Sequence, residues 1–213
     1  LPSFYAASDL IFYDTDPKYN TQYFKASSFF PKTQEDTNAD PRVAYIDKEV
    51  CSKIISKDIC NKDNYKLNNE NVQIIYQRIN PTKYKVTVRN ATKPFLLVFQ
   101  TKFSPHWKIY SSDQSLISNI IDSYYNKEII ELAPEKSIID KSPFETNGKE
   151  YLFDSSHAEV NGYANGWYIN PTGTQDINLI IEMTRQKIFY YSLGISLVSL
   201  FIFILYGIKL LKK

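Results

Sequence analysis

The chain has 213 residues, 43% of them apolar and 15% aromatic, so it can build a hydrophobic core and is not intrinsically disordered. Its 25 basic and 23 acidic residues give a formal charge of +2, which excludes the strongly basic footprint of a nucleic-acid-binding protein. Six glycines and ten prolines exclude the collagen-like and low-complexity classes.

The first 70 residues predict a mixed α/β segment. Short apolar runs at 4–5 and 10–13 are typical of strands, and residues 43–46 predict a third strand. Aspartate is a favoured N-cap, so we expect a helix to begin after Asp47 and to end near Ser56.

The two cysteines of the chain, Cys51 and Cys60, are separated by eight residues. In an exported protein we expect them to form a disulfide, which would contribute about 2–3 kcal/mol by closing a small loop. Two reduced thiols are the alternative. Neither histidine is close to them in sequence and no CxxC pair is present, so we predict no metal site.

Residues 71–184 predict an antiparallel β-sandwich. Polar and apolar residues alternate strictly over 83–89, and residues 72–79 predict a partner strand across an Asn-Pro-Thr turn. An apolar run at 95–99 predicts a buried strand. Further strands are predicted from the β-rich runs at 107–110, 166–169 and 177–181.

Residues 111–156 interrupt this pattern and predict an insertion in the sandwich. Within it, the apolar residues of 115–125 recur at helical spacing, so we expect a helix there. The fold class predicted for the whole chain is therefore mainly β, an antiparallel sandwich with a helical insertion, followed by one C-terminal transmembrane helix.

The transmembrane helix is predicted because residues 188–208 form a run of 21 residues without a charge. A helix of this length covers about 30 Å, the thickness of the hydrocarbon core of a bilayer. Tyr190, Tyr191 and Tyr206 lie near its ends, where interfacial aromatic residues are enriched. We expect residues 185–213 to form this helix and a short basic tail in the cell membrane.

Basic residues on the two sides of the run predict its orientation. Three follow it and two precede it: Lys209, Lys212 and Lys213, against Arg185 and Lys187. The positive-inside rule then places the tail in the cytoplasm and residues 1–184 outside it. Because the chain starts with Leu1 rather than methionine, we expect either a mature exported protein or the C-terminal piece of a longer one.

Catalytic signatures are absent from the sequence. It contains no GxSxG, P-loop, GxGxxG, HExxH or DxDxDG motif. With two histidines in the chain we do not expect a catalytic triad or a His-rich metal centre. The sequence therefore predicts no catalytic residue and no cofactor.

The densest cluster of candidate ligand-binding residues lies at 157–168. Two Asn-Gly pairs, at 161–162 and 165–166, predict tight turns, which would display aromatic and polar side chains from a constrained loop. Aromatic rings stack on sugars, and amides and imidazoles bond their hydroxyls. The candidate residues are His157, Asn161, Tyr163, Asn165, Trp167 and, from a second cluster at 104–108, Trp107.

A structural role is the alternative for each of these residues. Trp167 would then be a core residue and the asparagines would cap turns. Trp107 is interpreted as either a platform for a ligand or the large residue that closes one end of the sandwich.

The runs at 94–99 and 104–108, together with His157, residues 161–168 and 185–190, resemble a known family. Similar segments occur in the C-terminal extracytoplasmic domains of large bacterial membrane glycosyltransferases of the C superfamily, which use polyprenyl-phosphate sugars, and of their relatives. The resemblance covers about residues 72–213. It implies a terminal module and last helix whose partners are the bilayer, a glycan or lipid-linked sugar, and upstream transmembrane helices.

In such families the catalytic carboxylate lies on an earlier extracytoplasmic loop, so the resemblance places catalysis outside this chain. The expected function is a glycan-binding or glycan-positioning module of a membrane glycosyltransferase. Two alternatives remain open at this point. One is a single-pass membrane-anchored carbohydrate-binding or adhesion protein, and the other is a structural assembly domain whose helix packs on partner helices.

Overall fold

The computed structural model describes residues 3–13, 42–62, 64–67, 71–117, 127–134, 142–173 and 176–211. Within them the chain is mainly β, with twelve strands and three α-helices. In chain order the elements are β1 Phe4–Ala6, β2 Asp9–Tyr13, β3 Val43–Asp47, α1 Lys48–Ile54, α2 Lys57–Cys60, β4 Asn64–Lys66, β5 Gln73–Asn80, β6 Lys83–Arg89, β7 Phe95–Phe99, β8 Trp107–Ser111, β9 Ile129–Leu132, β10 His157–Val160, β11 Ala164–Ile169, β12 Ile177–Met183 and α3 Arg185–Leu211.

Two sheets form the predicted β-sandwich. The middle sheet has the order β1-β7-β11-β10, and the five-stranded sheet has the order β8-β12-β6-β5-β9. Their facing sides share one apolar core to which both sheets contribute aliphatic and aromatic side chains, including Phe95, Leu97, Phe99, Trp167, Val86, Val88, Ile109 and Ile181. The sandwich prediction is therefore confirmed.

A third layer packs on the other side of the middle sheet. It consists of the small sheet β3-β2-β4 together with α1 and α2. Alternate residues of a strand point to opposite faces, so Leu96 and Val98 of β7 meet this layer while their neighbours face the five-stranded sheet. Every residue of β7 is consequently buried.

The first 70 residues contribute to two layers of the fold. β1 pairs with β7, with Phe4 opposite Phe99, and so belongs to the sandwich. The predicted helix after Asp47 is confirmed as α1, because the Asp47 carboxylate accepts a hydrogen bond from the Val50 amide at 3.0 Å. A disulfide joins Cys51 of α1 to Cys60 of α2, and both cysteines are buried in the third layer.

The described parts of the insertion at 111–156 cover the outer face of the five-stranded sheet. Most of its predicted helix, residues 118–125, lies outside the described residues. β9 adds a parallel edge strand beside β5, and Leu116 packs against Ile75 and Ile130. Residues 142–152, here called the covering segment, lie over the sheet and bond to it through the Lys83 ammonium, which donates to the Ser142 carbonyl at 2.8 Å.

The C-terminal helix α3 confirms the predicted apolar helix. It has 27 residues, so it is about 40 Å long, and it is the one helix of the described chain that is long and apolar enough to cross a membrane. Its apolar window has no part buried against the domain. The side chains of this window are therefore exposed.

Candidate functional site

The predicted stacking residue Trp167 lies in the core. It is 0% exposed in the middle of β11. Its ring stacks on the His157 imidazole with centroids 4.4 Å apart and planes 8° apart. Trp107 is 4% exposed and packs edge-on against Phe99, with centroids 5.0 Å apart. Neither indole has an open face on which a sugar could stack, so both tryptophans take the structural alternative.

Asn165 is fully buried and joins β11 to the loop between β7 and β8. Its amide oxygen accepts from the Ser104 amide at 3.1 Å, and its amide nitrogen donates to the Thr101 carbonyl at 2.9 Å. The predicted turn at Asn165-Gly166 is wrong, because both residues lie inside β11. Gly166 is needed there for close packing, since a Cβ would lie 2.6 Å from Cγ1 of Val160.

The turn predicted at Asn161-Gly162 is confirmed. Their φ angles are 56° and 69°, in the left-handed region that asparagine and glycine tolerate, and they connect β10 to β11. The Asn161 amide oxygen accepts from the Tyr45 amide, and its amide nitrogen donates to the Tyr5 hydroxyl, each at 2.9 Å. Asn161 thus fastens the hairpin to the third layer.

Of the predicted residues, His157 and Tyr163 have side chains that are partly buried. Burial lowers the pKa of His157 to about 4, against the opposing effect of its contact with Asn165. The imidazole is therefore neutral at pH 7, with its Nε2 3.1 Å from the Asn165 amide oxygen. The hairpin brings the predicted cluster together, but mainly as core packing; ligand contact by His157 and Tyr163 stays a prediction.

A polar cleft of about 630 Å³ lies at the end of the five-stranded sheet where β8 finishes and β12 begins. Four separate stretches of the chain line it: Ser111, Ser112, Leu152, Pro171, Thr172, Gly173, Asp176, Ile177, Asn178 and Leu179. No single stretch of the sequence holds enough of these residues to form a motif, so the cleft cannot be predicted from the sequence.

The cleft offers hydroxyl, carboxylate and amide groups. The Asn178 amide oxygen accepts from the Thr87 hydroxyl at 2.8 Å, and the Asn178 carbonyl accepts from the Ser112 amide at 2.9 Å. The Asp176 carboxylate lies 3.9 Å from the Arg89 guanidinium. These contacts hold the wall of the cleft in place, and the Asn178 amide nitrogen is the part of that side chain suited to donate to a ligand.

The opposite end of β12 leads directly into α3. A single residue, Thr184, separates the two elements. The Met183 amide donates to the Thr82 carbonyl at 2.8 Å, and the Thr184 amide donates to the His106 carbonyl at 2.9 Å. Backbone hydrogen bonds to two loops of the sandwich therefore fix the start of α3, and no linker separates the helix from the domain.

A buried carboxylate strengthens this junction. Glu182 is 2% exposed and accepts a hydrogen bond from the Thr146 hydroxyl of the covering segment. The Lys187 ammonium, in the first turn of α3, lies 3.5 Å from the same carboxylate and 5.0 Å from the centre of the Tyr110 ring. Because a buried charge needs such partners, sheet, covering segment and helix are joined at one point.

Comparison with protein-family models, curated proteins and solved structures finds no match to this chain. The resemblance to membrane glycosyltransferases stays a prediction that rests on the runs at 94–99, 104–108, 161–168 and 185–190 and on His157. The geometry of the cleft and of the junction with α3 supplies the independent basis for a functional proposal.

Proposed function

We propose that residues 3–183 form an extracytoplasmic module that binds or positions a glycan beside the membrane. In this proposal the module serves a membrane glycosyltransferase whose catalytic residues lie outside this chain. The observation that carries it is the polar cleft at the end of the five-stranded sheet opposite α3.

The chemistry of the cleft favours a sugar over an apolar ligand. Five of its ten lining residues carry a hydroxyl, carboxylate or amide side chain, and such groups pair with sugar hydroxyls. Its volume of about 630 Å³ lies within the range typical of small-molecule sites. The apolar residue Leu152, which is partly buried, supplies surface for the C–H face of a sugar ring.

The position of the cleft favours a glycan that projects from the membrane. β12 runs from Ile177 at the cleft to Met183 at the start of α3, which is a distance of about 20 Å. The rigid junction at Thr184 would hold the cleft at that height above a bilayer crossed by α3. A disulfide between Cys51 and Cys60 supports an exported location, since disulfides persist in oxidising compartments.

Gly173 offers a way to test the cleft. Gly173 lines the cleft and no atom lies within 4 Å of a Cβ built there, so Gly173→Trp should fold and place an indole at the cleft, whereas Gly173→Ala adds a single methyl group as the matched control. The full chain, reconstituted in nanodiscs, should bind to oligosaccharides on an array of cell-envelope glycans. Gly173→Trp should lose at least 10-fold in affinity, while Gly173→Ala should lose little.

Two results would contradict the proposal. The first is that the unmodified chain binds no oligosaccharide and binds a polyprenyl-phosphate-linked sugar no more tightly than it binds unglycosylated polyprenyl phosphate in the same nanodiscs. The second is that Gly173→Trp binds as well as Gly173→Ala.

Several membrane spans encoded before Leu1 would support the transferase, whereas a lone signal peptide would support the anchored binder.

Orientation has its own test. A single cysteine placed at Lys212, with Cys51 and Cys60 replaced, should resist a membrane-impermeant thiol reagent in intact cells. A cysteine at Thr172, which is exposed in the cleft region, should react. The reverse pattern would place the cleft in the cytoplasm and remove the basis for an extracytoplasmic module.

A further inference from the structure

The covering segment carries an unusual pair of exposed aromatic residues. Among the described residues outside α3, the exposed large hydrophobic side chains are Phe144, at 45%, and Tyr151, at 52%. Isolated exposed apolar residues are common on protein surfaces. Phe144 differs from such cases because it lies against α3.

Phe144 packs on the second turn of α3. Its ring stacks on that of Tyr191 with centroids 5.6 Å apart, and it lies edge-on to Tyr190 at 6.4 Å. The Asn147 amide nitrogen donates to the Tyr191 hydroxyl at 2.9 Å. The covering segment therefore extends past the end of the five-stranded sheet and alongside the helix.

The contact with Tyr191 sets the level of Phe144. Tyr191 is six residues after Arg185, which corresponds to about 9 Å along the helix axis. Tyrosines at the end of a membrane helix lie at the level of the lipid headgroups. Tyr151 occupies a different level, because its ring lies against Tyr110, 5.5 Å away on the sheet.

Charges next to Phe144 do not oppose an approach to lipid. Glu145 is the acidic residue beside it, and its carboxylate is 2.5 Å from the Lys83 ammonium and 3.8 Å from the Lys85 ammonium. The carboxylate is thus neutralised by the sheet. Arg185, at the start of α3, is exposed and suits the phosphate groups of headgroups.

We infer that Phe144 inserts into the headgroup region of the bilayer beside α3 and gives the domain a second membrane contact. A domain attached to one helix still tilts with that helix in the bilayer, whereas a second contact beside the helix opposes this tilt. The inference requires that α3 crosses a bilayer. It does not depend on glycan binding, so a failure of either idea leaves the other standing.

Tryptophan substitution provides the test. Trp107 and Trp167 are buried, so lipid-borne quenchers should reach them poorly. In nanodiscs whose lipids carry bromine near the headgroup, the added emission of Phe144→Trp should be quenched at least twofold. Tyr151→Trp, the matched aromatic replacement, should show no more quenching than the unmodified chain. Equal quenching of the two variants would overturn the inference.

A second measurement covers the case in which Phe144→Trp does not fold. Asn147 and Glu150 are both exposed in the covering segment, and the native cysteines are held in their disulfide. The ratio of relaxation by oxygen to relaxation by a water-soluble nickel chelate should be higher for a nitroxide on Asn147→Cys than for one on Glu150→Cys. Equal ratios at the two positions would place the segment in water and refute membrane contact.

Discussion

Replacement of Trp167 with alanine should destabilise the domain by about 4 kcal/mol. The indole is fully buried between the middle and five-stranded sheets. Truncation to alanine removes about 150 Å² of buried apolar surface, because a buried tryptophan contributes up to about 250 Å² and alanine and the backbone keep part of it. At about 25 cal/mol per Å² this loss is about 4 kcal/mol, within the range of about 3–5 kcal/mol found for aromatic-to-alanine changes in cores.

Urea unfolding of the full chain in detergent micelles, followed by the β-sheet signal in circular dichroism, measures this change. Tyr151→Ala is the control, since an aromatic ring that is 52% exposed should cost less than about 1 kcal/mol. The truncation should also hydrate His157, whose ring stacks on Trp167. NMR titration should then find its pKa raised from about 4 towards the ordinary value of about 6.5.

The core assignment of Trp167 would be refuted if Trp167→Ala cost less than about 1 kcal/mol and the pKa of His157 stayed near 4. A loss of glycan affinity in such a stable variant would return the residue to the role of a sugar platform. Destabilisation without any change in the affinity of the remaining folded protein would assign it to architecture alone.

Three further predictions concern stability. Burial lowers the pKa of His157 to about 4, so at mildly acidic pH the unfolded chain binds a proton that the folded domain does not. The free energy of unfolding should therefore fall as the pH drops from about 6.5 to about 4. Thermal melts should show this loss for the unmodified chain and not for His157→Phe. Opening the disulfide with Cys51→Ser and Cys60→Ser should cost about 3 kcal/mol in urea unfolding, and an unchanged midpoint on adding reductant to the unmodified chain would contradict this. Gly166→Ala should cost about 1–3 kcal/mol through the clash inside β11, whereas Gly173→Ala should leave the midpoint nearly unchanged; equal midpoints would show that β11 has room for a methyl group.

Local sequence signals predicted the elements that depend on neighbouring residues. The alternation over 83–89 and the Asn-Pro-Thr turn predicted a hairpin, which the structure has as β5, ending at Asn80, and β6, starting at Lys83. The Asp47 cap and the uncharged run of α3 succeeded for the same reason. In each case the physical cause lies within a few residues of the element it determines.

Pairings between distant residues could not be predicted in this way. Phe4 lies opposite Phe99, and Ile74 lies beside Ile129 in a parallel pair, yet nothing near these residues indicates a partner. The third layer was missed because its strands use the side of β7 that a two-layer sandwich would leave polar. The fully apolar run of β7 is typical of a strand buried on both faces, and it is the sequence signal that indicates a third layer.

The predicted ligand loop shows how ambiguous a cluster of aromatic and amide residues is. A sugar site and a strand buried on both faces can have the same composition, with indoles, small residues and side-chain amides that are fully hydrogen-bonded. Asn165 and Trp167 lie two residues apart in β11, and each is fully buried. The distinction depends on whether other layers cover the strand, which is a property of the whole fold.

The position of β12 determines when this domain can finish folding. β12 pairs with β6 on one side and β8 on the other, so the five-stranded sheet remains divided until residue 183 is available. Since α3 follows after one residue, the last strand of the sheet and the start of the helix are synthesised almost together. In the proposed topology the preceding strands then keep core surface exposed until α3 reaches the membrane, so insertion of the helix and closure of the sandwich are successive steps.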